Sequence, residues 1–178
     1  SYTLLFCALM EQLGIDVSVA QSDSMNHIWN VVKINDKWYH VDITWDDPVS
    51  DRFSLAYHNY MLLSDSQISA ASSSSSNTHH DWTSLYTCTD TTYDNYYWLT
   101  KGITTPFNYI NGQWYYGAFD SNDSTSYIYS STIDGNSIST IYNTGKWYAD
   151  NSSSYYAICG SGLDVYDGKL YFNNTSTI

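Results

Sequence analysis

Positive charge is scarce in this chain. Its 178 residues carry 6 Lys and Arg against 18 Asp and Glu, which gives a formal net charge of −12. Phosphate backbones and anionic lipid surfaces repel so acidic a protein, so we expect no nucleic-acid partner and no membrane-surface partner. No apolar run reaches the length of about 20 residues that a membrane-spanning helix needs, so we also expect no membrane span.

Cysteine is sparse too, and its spacing argues against several classes of small protein. Cys7, Cys88 and Cys159 lie far apart, without the paired spacing of zinc ligands or of a disulfide framework. The pattern therefore predicts no metal and no cofactor, and it does not favour a disulfide between Cys88 and Cys159. Aromatic side chains are abundant instead: 19 Tyr and 7 Trp, in a chain that is 43% hydrophobic, supply material for one or two domain cores.

The stretch HIWNVVKINDKWYHVDITWDDP, at residues 27–48, predicts a β-hairpin. Two runs, 26–34 and 37–45, are rich in Val, Ile, Trp, Tyr and Thr, which favour strands. Asn35 and Asp36 between the runs predict a two-residue turn. A loop with an odd number of residues would reverse the faces, so the register depends on this turn.

This register would bring two polar side chains together. If Ile34 pairs with Lys37, then His27 and Asp42 become diagonal neighbours on one face, roughly 7 Å apart and within reach of a hydrogen bond. A carboxylate bonded to one imidazole nitrogen leaves the other free to take a proton, which supplies two thirds of a nucleophilic triad. The plainer alternative is a core histidine satisfied by an aspartate, and the hairpin alone favours that alternative.

The first fourteen residues, SYTLLFCALMEQLG, predict an amphipathic helix. Its apolar face is formed by Tyr2, Phe6, Leu9 and Leu13, which recur at steps of four, three and four. Gly14 follows as a C-terminal stop. We therefore expect a single helix to pack on the sheet through this face.

Together the helix and the hairpin resemble the transglutaminase-like superfamily of cysteine enzymes. That pattern has a Cys-x-Gly-Tyr-x-x-x-Phe helix start, a Gly-Ile after the helix, a His-x-Trp-Asn strand and a Trp-Tyr-x-Val-Asp-x-Thr-Trp-Asp-Asp-Pro strand. The matching positions here are Tyr2, Phe6, Gly14-Ile15, 27–30 and 38–48. NYMLLSDSQIS followed by HHDW also resembles the family's tail, so the likeness spans about residues 1–85.

The resemblance implies an α+β fold with a papain-like core, one helix packed on an antiparallel sheet. It implies a Cys-His-Asp triad in which His27 is the base and Asp42 orients it, with supporting roles for Trp29, Asn30 and Trp45. In such enzymes a thiolate attacks a protein or peptide amide, and the thioester then passes to water or to an amine. The implied activity is that of a hydrolase, such as a cysteine protease, or of an acyltransferase.

The implied nucleophile falls outside these 178 residues. If Tyr2 and Phe6 are aligned, the family's cysteine stands two positions before Ser1, and Ser1 replaces the pattern's glycine. Cys7 lies about 12 Å farther along the helix axis and is rotated by about 80°, so we expect it to pack as a small hydrophobe near Leu9. We therefore expect no enzymatic activity from this chain alone, and we expect the parent protein to be the enzyme.

Beyond residue 70 the composition changes. The serine-rich stretch SAASSSSSNT predicts a flexible loop, and from about residue 90 short aromatic runs alternate with turn residues. YINGQWYY and VYDGKLYF look like two copies of one unit, 56 residues apart, in which Trp114 and Tyr116 should face opposite to Tyr115. Strong signals for two-residue hairpin turns stand at Asn111-Gly112, Asp134-Gly135 and Asp167-Gly168, with a weaker one at Asp94-Asn95.

These copies resemble the tyrosine-rich, propeller-type repeats of surface proteins of Gram-positive bacteria. We therefore divide the chain into a partial transglutaminase-like core at 1–88 and a partial, all-β repeat region at 89–178. NGQWYY and NDKWYH are also similar to wall-binding repeats. Two functions stay open: a secreted or cell-surface cysteine enzyme acting on protein or peptide amides, or an inactive surface module whose aromatic repeats bind cell-wall carbohydrate or protein.

Two acidic or histidine-rich motifs could be mistaken for metal sites. Asp46-Asp47-Pro48 could ligate Ca²⁺, but a turn after a strand is the interpretation that we favour. His79-His80 could ligate a transition metal, but no second pair with suitable spacing accompanies it.

Overall fold

The structure is a computed structural model that describes residues 2–47, 56–70, 78–100, 102–103, 105–120, 125–146 and 161–173. Residues 71–77 of the predicted serine-rich loop at 69–78, and Cys159, lie outside these ranges, whereas the first two residues of that stretch, Ser69 and Ala70, are helical. The chain forms two compact units, one of Ser1–Asp47 and Asn59–Tyr96, the other of Pro48–His58 and Tyr97–Ile178. Within the described ranges no helix has the length and apolarity needed to cross a membrane.

The first unit packs helices on one antiparallel sheet. Its strand order is β4-β3-β2-β1-β5, and each neighbouring pair is antiparallel. With the sheets of the second unit this confirms the α+β class, while the division at residue 88 stays a prediction. The elements are α1 (Tyr2–Gln12), β1 (Val17–Ser22), β2 (His27–Ile34), β3 (Lys37–Val41), α2 (Ile43–Asp46), β4 (Met61–Leu63), α3 (Asp65–Ala70) and β5 (Thr83–Ser84).

The predicted register of the β2–β3 hairpin is confirmed. Asn35 and Asp36 have φ of 49° and 61°, the left-handed values of a type I′ turn, and Ile34 pairs with Lys37. The predicted second strand, 37–45, is too long, because β3 ends at Val41.

Asp42 is the physical reason why β3 stops. Its Oδ1 accepts a hydrogen bond from the Trp45 backbone N–H at 3.2 Å, which makes it the N-cap of the helical turn α2. The Asp42 carboxylate therefore sits at a strand end and has one oxygen fixed by the backbone.

The predicted apolar face of α1 is wrong. Tyr2, Leu9 and Leu13 are exposed, Phe6 is only half-buried, and the buried residue is Thr3. The helix is apolar almost all round, so periodicity alone could not select the inward side. The stop is confirmed, since Gly14 has φ of 69° and follows the last turn.

Hydrogen bonds select the side of α1 that faces the sheet. The Thr3 hydroxyl donates to the Ile28 carbonyl at 3.0 Å, and Asn30 Nδ2 donates to the Thr3 carbonyl at 3.2 Å. Asn30 Nδ2 also lies 3.2 Å from Cys7 Sγ, and the half-buried Cys7 is a free thiol. These contacts fix the first two turns of α1 beside the start of β2.

The second unit contains a four-stranded antiparallel sheet in the order β6-β7-β8-β9 and a separate hairpin, β10-β11. In the described residues these form one sheet and one hairpin rather than a closed ring of sheets. Its elements are α4 (Tyr97–Thr100), β6 (Asn108–Ile110), β7 (Gln113–Asp120), β8 (Thr125–Ser131), β9 (Ser139–Lys146), β10 (Ser161–Tyr166) and β11 (Lys169–Asn173).

Two of the four predicted turns are tight hairpin turns. Asn111-Gly112 joins β6 to β7 and Asp167-Gly168 joins β10 to β11, with all four φ values positive, between 49° and 85°. Asp134-Gly135 marks the connection of β8 to β9, but that connection is a longer loop, 132–138. There Asp134 Oδ1 accepts from the Thr132 hydroxyl and from the Asn136 N–H.

The Asp94-Asn95 hairpin is wrong, because no strand flanks it within the described range 78–100. Its carboxylate serves a tertiary contact: Asp94 accepts from the Ser64 N–H at 2.8 Å and from the Ser64 hydroxyl at 2.6 Å.

The β6–β7 and β10–β11 hairpins direct side chains inward at equivalent positions relative to their turns. Trp114 and Tyr116 both contact Phe107, with ring centroids 5.8 and 5.4 Å apart, while Tyr115 between them points to the other face, as predicted. At the same offsets from the second turn, Leu170 and Phe172 pack on a buried cluster of Ile128 and Leu163.

Candidate functional site

The two polar residues singled out from the hairpin meet in the structure. His27 Nε2 lies 2.6 Å from Asp42 Oδ2, which confirms the predicted hydrogen bond. The His27 side chain is 13% exposed and that of Asp42 is 1% exposed, so the carboxylate is sealed while the imidazole reaches solvent. The site combines a buried acid with an accessible base.

This contact determines which nitrogen of His27 is available. Because Nε2 faces the ionised carboxylate, it carries the proton of that hydrogen bond, and Nδ1 is left as the acceptor in the neutral ring. Among the described residues Nδ1 has no hydrogen-bond partner. A proton could therefore be taken up or released at Nδ1 without breaking the bond to Asp42.

Two of the predicted supporting residues lie against the imidazole. The rings of Trp29 and Trp45 are nearly parallel to His27, at 19° and 17°, with centroids 5.5 and 5.1 Å away. These two stacking contacts hold the plane of the imidazole ring. The third, Asn30, contacts α1 instead, so its support of His27 is indirect.

A second histidine, which the sequence analysis did not assign to this site, shares the same carboxylate oxygen. His79 Nε2 lies 2.8 Å from Asp42 Oδ2, and the His79 side chain is fully buried. His79 stands 37 residues after Asp42, beyond the serine stretch, so no local pattern links the two. The only hint was its place in the family-like HHDW segment.

The hydrogen bonds from His27 and His79 keep Asp42 ionised. Burial by itself raises the pKa of Asp42, but hydrogen bonds from His27 and His79 outweigh it and hold the pKa below its usual value. Burial lowers the pKa of His79, against the pull of Asp42. At neutral pH the site therefore contains an aspartate anion beside a neutral His79.

The same three side chains could in principle hold a metal ion. One ligand atom from each of His27, Asp42 and His79 lies within 4.8 Å of the other two. A metal-binding imidazole, however, usually donates its second N–H to a partner, and His79 Nδ1 is buried with no partner among the described residues. The donor set therefore fits a hydrogen-bonded cluster better than a metal site.

Another histidine–aspartate pair lies in the same unit. His40 Nε2 is 2.8 Å from Asp65 Oδ1, and His40 Nδ1 accepts from Trp29 Nε1 at 2.9 Å. His40 is fully buried, and burial lowers its pKa. Burial also raises the pKa of the neighbouring Cys88 thiol to about 12, so this second Cys-His-Asp group has neither a thiolate nor a free imidazole nitrogen.

The carboxylates of the Asp46-Asp47 motif bind protein groups. Asp46 Oδ1 accepts from the backbone N–H groups of Asn59 and Tyr60, at 2.7 and 3.0 Å. Asp47 Oδ2 accepts from the Tyr2 hydroxyl at 2.7 Å. These contacts fit the interpretation as a turn, in which both acids tie neighbouring segments together, although Pro48 lies outside the described residues.

His27 is one of the residues that line a shallow, open cleft of about 280 Å³. This cleft would give a substrate access to the imidazole from solvent. Its lining is mainly polar and comes from the end of β1, the following turn and the start of β2: Gln21, Ser22, Asp23, Asn26, His27 and Ile28.

Comparison with protein-family models, with curated proteins and with solved structures finds no match for this chain. We therefore argue its function from the geometry of the His27 site.

Proposed function

We propose that this chain belongs to a transglutaminase-like cysteine hydrolase or acyltransferase that acts on protein or peptide amides outside the cell. His27 is the base and Asp42 is the acid that orients it. The observation that carries the proposal is the 2.6 Å hydrogen bond that an imidazole donates to a buried carboxylate, while the other nitrogen of the ring is free and the residue lines an open cleft.

The position of α1 supports the placement of the missing nucleophile. Thr3 contacts Ile28 and Cys7 contacts Asn30, so α1 and β2 run side by side in the same direction. The family's cysteine aligns four residues before Thr3, or about 6 Å back along the helix. About two residues of strand cover the same distance, so a cysteine there would stand level with Asn26, the residue next to His27.

This placement suits thiolate chemistry. A cysteine at the N-terminus of a helix feels the positive end of the helix dipole, and an imidazole at its side takes its proton. The thiolate then attacks the amide carbon, His27 returns the proton to the departing amine, and a thioester remains. Water or a second amine releases the acyl group, with His27 accepting the proton of that nucleophile.

The second unit supports a location at the surface of a Gram-positive bacterium. A four-stranded antiparallel sheet is the form of a single propeller blade, and two hairpins of the unit share one arrangement of inward positions. We propose that these are tyrosine-rich, propeller-type repeats beside a transglutaminase-like core.

One observation favours a second candidate, an inactive module that binds wall carbohydrate or protein. Tyr109, Tyr166 and Tyr171 of the two hairpins are exposed, Tyr166 by 76%. Exposed aromatic rings offer flat apolar faces to which sugar rings can bind. Retention of the purified chain on cell-wall polysaccharide, lost when Tyr166 is replaced by Ser, would favour this candidate.

The deciding experiment uses a chain that is extended upstream by its own coding sequence. We expect a cysteine two positions before Ser1 and turnover of a glutamine- or peptide-amide substrate. Asp42→Asn should reduce kcat by at least about 100-fold, because the neutral amide no longer orients and compensates the protonated imidazole. The exposed His80, replaced by Ala, is the matched control and should leave turnover unchanged. A different residue at the upstream position, or full activity in Asp42→Asn, would reject the proposed enzyme.

A further inference from the structure

One carboxylate oxygen in the site accepts two hydrogen bonds, but the proposed chemistry uses only one of them. Asp42 Oδ2 lies 2.6 Å from His27 Nε2 and 2.8 Å from His79 Nε2. Both nitrogens must carry hydrogen for the oxygen to accept from both. The hydrogen bond from His79 therefore has no part in the catalytic steps proposed above.

The surroundings of His79 fix its chemical form. Its ring lies among Trp29, Trp45 and Tyr60, with centroids 4.6, 4.1 and 5.3 Å away, and the side chain is fully buried. Nδ1 is also buried and finds no partner in the described part of the chain. A proton on Nδ1 would be a buried donor without an acceptor, so the stable form is the neutral ring with hydrogen on Nε2.

The burial of His79 Nδ1 is unfavourable, so another interaction of the imidazole must offset its cost. An unpaired acceptor in an apolar pocket is unfavourable, and an apolar side chain of similar size would fill the same space without that cost. Only the bond from Nε2 to Asp42 distinguishes His79 from such a side chain.

We propose that His79 is a positioning residue, a neutral imidazole whose Nε2–H holds the Asp42 carboxylate toward His27 and keeps it an anion. The hydrogen-bonding role stands on the contacts above, and only its importance for catalysis rests on the proposed function. Because His79 stays neutral, it stabilises the charge of Asp42 without cancelling it. Asp42 thus keeps its full charge for His27.

Several titratable groups among the described residues can affect a titration around His79. Asp42 and His27 face it directly and Tyr60 packs on its ring, while His80 and His40 act on it, and Asp46 acts on Asp42, at longer range through their charge. Any measurement of the role of His79 must therefore follow individual rings and carboxyl groups by NMR.

The first test uses the 178-residue chain without substitution. The ring nitrogens of His79, observed by ¹⁵N NMR, should keep the chemical shifts of the neutral Nε2–H form as the pH is lowered from 8 through 6.5, where an exposed imidazole is half protonated, since burial lowers the pKa of His79. A ring that carries hydrogen on Nδ1, or that gains a second proton near pH 6.5, would overturn the proposal.

The second test compares two substitutions of equal length. Gln can place an N–H donor near the position of His79 Nε2, whereas Met of similar size cannot donate. In His79→Met the pKa of Asp42, read from its carboxyl ¹³C shift, should rise by about one unit, as expected when a carboxylate loses a donor. His79→Gln should retain more than half of the original stabilisation.

Three outcomes would overturn the proposal: no shift in His79→Met, equal shifts in both variants, or a larger shift in His79→Gln. Equal shifts would mean that packing, not the N–H, matters. If His79→Met fails to fold, the Gln variant and the ring nitrogen shifts still decide the matter.

The catalytic consequence is tested separately in the extended enzyme. His79→Met should lower kcat more than it changes KM and should move the acid limb of the kcat profile to higher pH, and His79→Gln should restore both. Because the NMR tests need no nucleophile, they can fail while the proposed function holds, and they can succeed in an inactive protein.

Discussion

The first unit contains two histidine–aspartate pairs with nearly the same bond and different surroundings. His27 and Asp42 are joined at 2.6 Å, and His40 and Asp65 at 2.8 Å. In both pairs Nε2 is the bonded nitrogen. The difference lies in Nδ1, which is free at the first ring and accepts a hydrogen bond from Trp29 at the second.

The two pairs also differ in which partner is buried. In the first pair Asp42 is buried and His27 reaches solvent, with side-chain exposures of 1% and 13%. In the second pair His40 is buried, and the Asp65 side chain is 34% exposed. A histidine–aspartate bond is therefore not in itself a sign of catalysis. What distinguishes a candidate site is an imidazole nitrogen that a substrate or nucleophile can reach.

The largest effect that separates the pairs should be catalytic. In the extended enzyme, His27→Ala should lower kcat by about 1,000-fold, because proton transfer at the thiol and at the leaving amine is lost. The free energy of unfolding, measured with urea, should change by less than about 1 kcal/mol, since His27 is the first residue of β2, its side chain reaches solvent and Asp42 keeps its hydrogen bond from His79. An active His27→Ala enzyme would show that His27 is no more catalytic than His40.

The next effect should be structural and should belong to the other pair. His40→Leu leaves the Trp29 indole N–H without its acceptor and Asp65 without its imidazole, both next to a packed core. We expect the free energy of unfolding to fall by about 3 kcal/mol. His80→Leu, at an exposed position, is the control. A His40→Leu chain as stable as the wild type would contradict the structural role.

Acid should weaken the first unit through its two buried imidazoles. Burial lowers the pKa of His40 and of His79 below 6.5, the usual value of a histidine in an unfolded chain. The unfolded state therefore binds more protons below about pH 6.5, and stability falls as pH is lowered from there toward the folded pKa values. We expect the free energy of unfolding of the first unit to decrease steadily between pH 7 and pH 5.

The measurement is urea unfolding of the first unit at several pH values. His58 in the second unit, whose pKa burial lowers to about 4, adds the same trend there, so the two units must be followed by separate probes. His79→Gln should flatten the dependence of the first unit. Stability that rises on acidification over this range would show that the buried rings are charged.

The smallest effect should come from the residue that contacts both pairs. Trp29 stacks on His27 and donates to His40, and Trp29→Phe keeps an aromatic ring while removing the donor. We expect a cost of about 1 kcal/mol in unfolding free energy, from the unpaired acceptor on His40. Turnover in the extended enzyme should stay within about threefold of wild type. A 100-fold loss of turnover would mean that the two pairs act as one network.

Local chemistry determined the part of the site that could be predicted from sequence. Asn35 and Asp36 adopt the left-handed turn that their types tolerate, and the turn fixes the register that places His27 beside Asp42. The end of β3 was missed because the capping role of Asp42 competes with strand pairing, although Asp is a common N-cap residue.

Tertiary contacts account for what the sequence could not reveal. The pairing of His79 with Asp42 spans 37 residues and follows no periodicity. The inward side of α1 depends on hydrogen bonds to Ile28 and from Asn30, which an almost wholly apolar helix does not specify. Asp94 gives a further example: a residue typical of turns accepts a hydrogen bond from the Ser64 backbone N–H, 30 residues away, which no local pattern predicts.

The central claim is that His27, held by Asp42, activates a cysteine that stands two positions before Ser1. Its most direct test is the rate at which iodoacetamide alkylates that thiol at pH 7 in the extended chain, read by mass spectrometry with Cys7 of the same helix as internal comparison. We predict a rate about tenfold above that of an exposed cysteine in an unfolded peptide, falling to the peptide value in His27→Ala. A thiol that reacts no faster than the peptide, or equally fast with and without His27, would contradict the claim.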